Sequence, residues 1–199
     1  QQLAAQQTQH SAAAEEAVTR ERNAHAELAQ LQAEQHAVAQ RPGSNVPSPF
    51  QQFRAALAEQ LQLPPDALPF VAELIEVRKD QQAWRGAIER AMGSHRLRIL
   101  VPPEAMRDAL DWVNQRHNRL HVRLLEVSNA SNVQDTASTA DFLADGFCAK
   151  LNLKPHGVTS YQHALRQLLA DLDRHCVDSA DALRHTPHAM TQQGLMSGR

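Results

Sequence analysis

Basic side chains are concentrated in the middle of this sequence. Between Arg78 and Arg123 there are ten basic and five acidic residues, a net charge of about +5, whereas the whole chain of 199 residues carries −2. Such an excess is typical of a surface that binds nucleic-acid phosphates. The alternative is that these side chains are solvated or pair with neighbouring acids. The residues that we select as candidate DNA contacts are Arg96, Arg98, Arg116, Arg119 and Arg123.

Other residue types that could do chemistry lack the spacing that the chemistry needs. The seven glycines are too scattered to form a P-loop or a dinucleotide-binding loop. His117 and His121 are four residues apart, but His121 falls in a predicted strand, so the two do not share one helical metal-binding face. Asp108 and Asp111 are more typical of solvated charge on a helix than of a catalytic pair. The sequence therefore predicts no catalytic residue, no bound cofactor and no metal site.

The two cysteines, Cys148 and Cys176, have neither metal-binding nor redox-motif spacing and fit a reducing cytoplasm. A structural disulfide between them is the alternative. No stretch approaches the roughly 20 apolar residues of a membrane-spanning helix, and no signal sequence opens the chain. We therefore expect a cytoplasmic protein.

Three short apolar runs position the basic residues. They are Phe70 to Val77, Arg98 to Val101 and His121 to Val127, and helical patterns from Asp80 to Met92 and from Glu104 to His117 separate them. Strands that alternate with helices predict consecutive β-α-β units. The predicted fold class is α/β, with a small, mainly parallel sheet, flanking helices and an N-terminal coiled-coil helix.

The ends and buried faces of these two helices can also be predicted. Asp80 is a candidate N-cap, Gly93 a candidate C-terminal stop, and Pro102 and Pro103 open the second helix. The predicted buried stripes are Trp84, Ala87, Ile88, Ala91 and Met92 on the first helix, and Met106, Ala109, Leu110 and Val113 on the second, with Trp112 packing beside them.

The first 40 residues are rich in Gln, Ala and Glu and contain no Pro or Gly. A weak heptad, strongest from Ala24 onward, predicts a long helix of a coiled-coil arm. A Gln/Ala-rich linker is the alternative. We divide the chain into a coiled-coil arm at 1–41, a linker with a short helix at 42–69, and an α/β domain with a C-terminal exit segment at 70–196.

The segment after the third strand is predicted to cover the domain and lead out of it. Residues 128–139 are expected to form a surface loop, and Ala140 to Leu153 an apolar helix. An amphipathic helix from Tyr161 to Leu172 follows, capped by Thr159 or Ser160. Cys176 to Ser179 is a candidate edge strand. Ser179 is a candidate cap of a brief helix, and the tail from Thr186 is polar.

Four segments carry a resemblance to a known family. They are ELIEV with WRGAIER (73–77 and 84–90), LRILVPPE (97–104), WVNQRH with VRLLEV (112–117 and 122–127), and CVDSADALRHTPHAMTQQGL (176–195). They resemble the central region of MukB-like SMC ATPase subunits, above all the JetC subunits of Wadjet anti-plasmid systems and their MksB relatives. The glycine clusters of the wider SMC hinge pattern are missing, which fits the reduced hinges of the MukB-like branch.

This resemblance implies an SMC-hinge-like fold and the hinge role. In that family two hinges join two long antiparallel coiled coils into a homodimer, and distant head domains bind ATP with magnesium. The resemblance implies a nucleoid-associated subunit that extrudes or organises DNA, in plasmid restriction or, alternatively, in MksB/MukB-type chromosome condensation. The chain begins at Gln1 without a Met, and we expect it to be part of a longer protein whose returning coiled-coil helix lies beyond Arg199.

Three uses of the domain stay open, and the first is self-association. A two-fold interface uses one patch on both copies, and the candidate patch is the strand edge near Val122 and Leu124 with the loop from Ser128. The second use is a hinge whose main role is DNA contact through the five arginines. The third is a scaffold that binds a protein partner through the helix from Tyr161 to Leu172.

Overall fold

The computed structural model describes residues 2–39, 46–116, 120–127 and 141–198. Within the first range, side chains are described for residues 14–32. The chain divides into two compact units, Gln1–Ser44 and Asn45–Arg199.

The first unit contains helix α1, Gln2–Ala39, of 38 residues. At 1.5 Å per residue this helix is about 57 Å long. Gln, Ala and Glu are good helix formers, so the predicted long helix is confirmed and the linker alternative is wrong. All described side chains of α1 are exposed, including the apolar Val18, Leu28 and Leu31.

The second unit mixes short strands with helices. Its helices are α2 (Ser48–Gln60), α3 (Arg85–Met92), α4 (Pro103–Asn114), α5 (Thr159–Leu172) and α6 (Ala180–His185). Its strands are β1 (Ile75–Val77), β2 (Ile99–Val101), β3 (Leu124–Glu126), β4 (Leu151–Leu153), β5 (His175–Val177) and β6 (Ala189–Thr191). The predicted α/β class, with small sheets, flanking helices and an N-terminal helix, is confirmed.

The strands pair within the described residues as three two-stranded sheets rather than one sheet. β2 and β3 are parallel, with Ile99 opposite Leu124, and β5 and β6 are also parallel. β1 and β4 are antiparallel, with Ile75 opposite Leu153. Each strand has three residues, so the predicted longer strands are wrong at their ends: Val71–Glu73, for example, is a 3-10 helix.

The described residues bury two apolar clusters. One is built around α3 and α5 and includes Phe147 and Met190, and the other is built around α2, β2 and α4. The predicted buried faces of α3 and α5 lie in the first cluster, fully or partly buried. On α4, Met106 and Ala109 are buried, but Leu110 is 52% exposed. The prediction for Leu110 is therefore wrong, because the cluster meets a narrower face of α4 than the stripe implied.

Helix ends agree with some of the predicted caps and not with others. Gly93 follows α3 with a positive φ of 48°, and Pro102 and Pro103 open α4, as predicted. The Ser179 Oγ accepts a hydrogen bond from the Ala182 N–H at 3.1 Å. Asp80 is not the cap of α3, because its carboxylate binds the Arg78 guanidinium at 2.9 Å within a 3-10 turn. Neither does a side chain cap α5, which follows Val158.

Two predictions for the C-terminal half are wrong. The described part of the expected helix Ala140 to Leu153 contains a 3-10 turn, Cys148–Lys150, and strand β4. The apolar residues there fill the core as single contacts rather than as a helical stripe. The polar tail from Thr186 contains β6, whose three residues are buried. β5 is not an edge strand, because it lies between β6 and the segment at Gly146.

Candidate functional site

The β2–α4–β3 unit positions the basic residues. Arg98 immediately precedes β2 and Arg123 immediately precedes β3. In a parallel pair the amino ends of both strands lie at the same edge. The Ile99 N–H donates a hydrogen bond to the Arg123 carbonyl at 3.0 Å, so the backbones at the two arginines are direct neighbours.

A third titratable side chain, that of His95, joins these two arginines. It lies in the 3-10 turn Gly93–Leu97, and its carbonyl accepts a hydrogen bond from the Arg98 N–H at 3.1 Å. His95 and Arg98 are half-buried. The buried nitrogens His95 Nδ1 and Arg98 Nε have no hydrogen-bond partner among the described residues. We call His95, Arg98 and Arg123 the cationic cluster.

Electrostatics shows that these three groups interact. Burial lowers the pKa of His95, and the charges of Arg98 and Arg123 lower it further. Burial also lowers the pKa of Arg98, and Arg123 adds to that effect. Both shifts show that positive charge is costly here, because like charges are held together in a half-buried place.

Among the residues that the structure describes, the cluster has no acidic partner, unlike other arginines of the basic stretch. Ion pairs join Arg78 to Asp80 at 2.9 Å and Arg85 to Glu89 at 3.0 Å. None of the ion pairs found among the described residues involves the cationic cluster. The alternative of local pairing therefore holds for Arg78 and Arg85, and not for the cluster.

Of the remaining candidate DNA contacts, Arg96 and Arg116 are described. Arg116 follows the end of α4, which as the crossover between parallel strands returns to the edge where β2 and β3 begin. Its exposed guanidinium lies 4.3 Å from the centre of the Trp112 ring. Arg96 is half-buried in the same 3-10 turn as His95, and Arg119 lies outside the described residues.

Sequence reasoning selected Arg98 and Arg123 but missed His95. The structure brings this histidine to the arginines because a tight turn precedes β2. The usable signal was its position three residues before Arg98, just ahead of a predicted strand. Trp112 packs as predicted, edge-on against Phe53 with ring centres 5.6 Å apart.

The candidate dimer edge is on β3. Within the described residues β3 pairs with β2 alone, so its other side is an edge of that sheet. Val122 and Leu124 are half-buried against the α2–α4 cluster, so their side chains are only partly available to a second copy. Ser128 lies outside the described residues. The backbone of β3 is thus the main feature that the candidate interface offers.

The helix from Tyr161 to Leu172, through which a protein partner was predicted to bind, does not offer its apolar face for that role. Its apolar face is buried in the domain, with Tyr161, Leu165 and Leu169 at 1% exposure or less. Burial raises the pKa of Tyr161 to about 12, and its hydroxyl donates a hydrogen bond to the Ala67 carbonyl at 2.8 Å.

A buried carboxylate that the sequence analysis did not select lies elsewhere in the domain. Asp173 is 3% exposed and accepts hydrogen bonds from the N–H groups of Leu143 at 2.9 Å, Cys148 at 3.0 Å and Arg174 at 3.0 Å. It joins the segment before β4 to the start of β5. We interpret it as a structural group rather than a catalytic one, because backbone donors occupy its oxygens.

Both cysteines are free thiols, so the disulfide alternative is wrong. Burial raises the pKa of the Cys148 thiol, and it raises that of Cys176 to about 11. Within the described ranges, no three His, Cys, Asp or Glu side chains form a metal-binding group. No helix in the described part of the chain has the length and apolarity to cross a membrane.

Comparison with known proteins finds similarity in structure alone. No model of a protein family matches the chain, and neither does any curated protein. A structure of the folded elbow of cohesin is 16% identical with a TM-score of 0.52, over 86% of this chain and 24% of that one.

Two SMC hinge structures are also similar to the chain. The Pyrococcus furiosus Smc hinge domain with an extended coiled coil is 18% identical, with a TM-score of 0.47 over 75% of this chain and 53% of that one. The asymmetric dimer of the Geobacillus stearothermophilus SMC hinge domain is 16% identical, with a TM-score of 0.43 over 87% and 76%. The chain thus spans about half of the Pyrococcus chain and a quarter of the cohesin chain. At a TM-score above 0.5, the cohesin match shows a shared fold.

Proposed function

We propose that residues 45–199 form the homodimerising hinge of an SMC-like ATPase subunit, and that α1 is one helix of its coiled-coil arm. The observation that carries this proposal is the fold shared with the cohesin chain. The exposed apolar residues of α1, Val18, Leu28 and Leu31, support the arm, since a coiled-coil helix leaves its seam exposed until a partner helix covers it.

The finer assignment is to the JetC subunits of Wadjet plasmid restriction, with an MksB/MukB-type condensation subunit as the alternative. The four segments that resemble this branch support it. In this proposal ATP and magnesium bind to head domains outside the present sequence, and the protein acts on the nucleoid in the cytoplasm. A longer parent sequence with a P-loop at one end and an ABC-type signature at the other is the expected finding.

Self-association is tested on the outer edge of β3. Because the Ile99 N–H faces β3, the parallel pattern directs the N–H groups of Leu124 and Glu126 away from β2. Glu126 is exposed, so Glu126→Pro removes an outward donor and spares the bonds to β2. Glu126→Ala changes the charge equally and keeps the donor, which makes it the matched control.

We expect light scattering to give a dimer for the wild type and for Glu126→Ala, and a monomer for Glu126→Pro. A proline that lacks the amide hydrogen cannot join a ladder across this edge. A wild-type protein that stays monomeric at tens of micromolar contradicts the dimer proposal. A dimer that survives Glu126→Pro places the interface elsewhere.

DNA contact is the second candidate function, and the lack of acidic partners for the cationic cluster favours it. Unpaired guanidinium groups at one edge are suited to phosphates, which bind with little dependence on base sequence. We expect Arg116→Glu with Arg123→Glu to reduce affinity for duplex DNA at low salt about tenfold or more and to flatten its salt dependence.

The control for this test has the same change in net charge. Arg78→Glu with Arg85→Glu reverses two arginines that already pair with local acids, so a smaller loss is expected. Equal losses in both double variants mean that the total charge of the protein, and not the position of Arg116 and Arg123 at this edge, determines DNA binding. Unchanged affinity in the Arg116 and Arg123 variant contradicts DNA contact at this edge.

A further inference from the structure

We propose that the cationic cluster is a phosphate-binding site that takes up a proton on His95 when it binds a nucleic-acid phosphodiester. This inference rests on the DNA-contact function proposed above and adds a residue and a regulation to it. The chemistry concerned is that of a phosphate oxyanion, and the nucleic-acid backbone is the source to which we commit.

The first step is the geometry of the cluster. Two backbone hydrogen bonds, from Arg98 to His95 and from Ile99 to Arg123, bring the backbones of the three residues together at one edge of the β2–β3 sheet. His95 Nδ1 and Arg98 Nε are buried without a partner among the described residues. An unpaired buried polar atom is costly, and an anion that both side chains turn to meet relieves that cost. Arg123 is exposed and supplies the outer side of the site.

The second step is the charge around His95. Elements that pack against its turn carry acids, but these are engaged elsewhere. Glu73 binds the Arg54 guanidinium at 2.6 Å and the Phe70 N–H at 3.0 Å. Glu89 on α3 pairs with Arg85.

Two further basic residues lie on the same elements. Arg90 on α3 donates to the Gln193 carbonyl at 3.1 Å, and Arg96 adds a further positive charge within the turn. Within the described part of the chain, Arg98 and Arg123 are the charged groups that lower the pKa of His95. The field at His95 is therefore positive when the site is empty.

The third step links this field to binding. In the empty site His95 is neutral at neutral pH, because burial and the two arginines lower its pKa. A bound phosphate offsets the positive charge and raises the pKa of His95 again. Binding then takes up a proton. Affinity rises as the pH falls through the pKa of the bound state and levels off below that of the free state.

The size of the effect follows from the difference between the two pKa values. Each unit of difference gives about a tenfold change in affinity. We expect affinity for a fluorescent oligothymidylate of about 12 nucleotides to rise roughly threefold to tenfold between about pH 8 and pH 6. His95→Gln removes the titrating group and should abolish most of this rise.

The matched control is His185→Gln, which removes an exposed histidine from α6 and should leave the pH profile unchanged. The direct measurement needs no variant. The pKa of His95, followed by NMR on the wild-type protein, should rise when the oligonucleotide is added, and calorimetry in buffers of different ionisation enthalpy should show proton uptake. Inorganic phosphate is the second probe.

The outcomes separate the inference from the function beneath it. Binding with the same pH profile in the wild type and His95→Gln, and an unmoved His95 pKa, overturns the proton-coupled site but leaves DNA contact standing. No oligonucleotide binding at any pH overturns both. A His95 response to inorganic phosphate, without one to the oligonucleotide, assigns the site to free phosphate and overturns the nucleic-acid source.

Discussion

Two regions of the α/β domain, the surroundings of Asp173 and the cationic cluster, differ in how their buried polar groups are satisfied. At Asp173 a negative charge is enclosed and three backbone N–H groups satisfy it. In the cationic cluster, positive groups are held together and two of their buried nitrogens lack a partner among the described residues. A satisfied buried charge fixes structure, whereas an unsatisfied one lowers stability and is available to a ligand. The first region therefore stabilises the fold, and the second is the one to which we assign the proposed binding.

Replacing the satisfied charge should have the largest effect. Asp173→Ala leaves three backbone N–H groups without an acceptor, at about 1–3 kcal/mol for each that stays buried. We expect the free energy of unfolding to fall by roughly 3–5 kcal/mol, measured by urea denaturation. Asp178→Ala, at an exposed position, should change it by less than about 0.5 kcal/mol. An equally small loss for Asp173→Ala would contradict the stabilising role that we assign to the Asp173 hydrogen bonds.

A glycine beside the same carboxylate gives the next largest effect. A Cβ at Gly146 would lie 2.5 Å from both Asp173 carboxylate oxygens, so Gly146→Ala must displace the carboxylate from its donors. We expect a loss of about 1–3 kcal/mol. At Gly86 in α3 a Cβ meets nothing within 4 Å, so Gly86→Ala should stabilise by up to about 1 kcal/mol. The same measurement on both variants should give opposite signs.

The sequence predicted the parts of this contrast that depend on local pattern. Apolar spacing identified the buried faces of α3 and α5, and the proline pair identified the start of α4. Two of the three partners of Asp173 could not be predicted, because Leu143 and Cys148 are 30 and 25 residues away in the chain, in a segment that was assigned to a helix. β4 was also missed, because three residues are too few to show the alternation of a strand. Their extended conformation depends on pairing with β1, which is distant in the sequence.

The candidate site was predictable to a similar extent. Charge counting selected Arg98 and Arg123. It could not distinguish them from Arg78 or Arg85, because all four arginines lie in the same basic stretch of the sequence. The difference lies in pairing, since Asp80 and Glu89 lie within reach of those two arginines. Parallel register, rather than sequence distance, brings Arg98 next to Arg123.

The cationic cluster should affect how the stability of the protein depends on pH. The pKa of His95 lies below its ordinary value of 6.5 in the folded protein, so the unfolded chain binds the proton more readily. Stability is therefore retained above about pH 6.5 and falls as the pH drops through the lowered pKa. His95→Gln should lose less stability between about pH 7 and pH 5 than the wild type, as measured by thermal unfolding. If stability changes with pH in the same way in both proteins, the unfavourable burial of positive charge that we assign to this cluster is contradicted.

The smallest expected effect concerns the stacking of Arg116 on Trp112. The guanidinium lies 4.3 Å from the ring centre and is exposed, where such contacts contribute about 0.5–1 kcal/mol. A double-mutant cycle with Arg116→Ala and Trp112→Leu isolates this coupling from the loss of packing against Phe53. Coupling of that size would mean that the stack orients Arg116 before any ligand binds. Coupling near zero would mean that Trp112 does not hold the Arg116 side chain in place before a ligand binds.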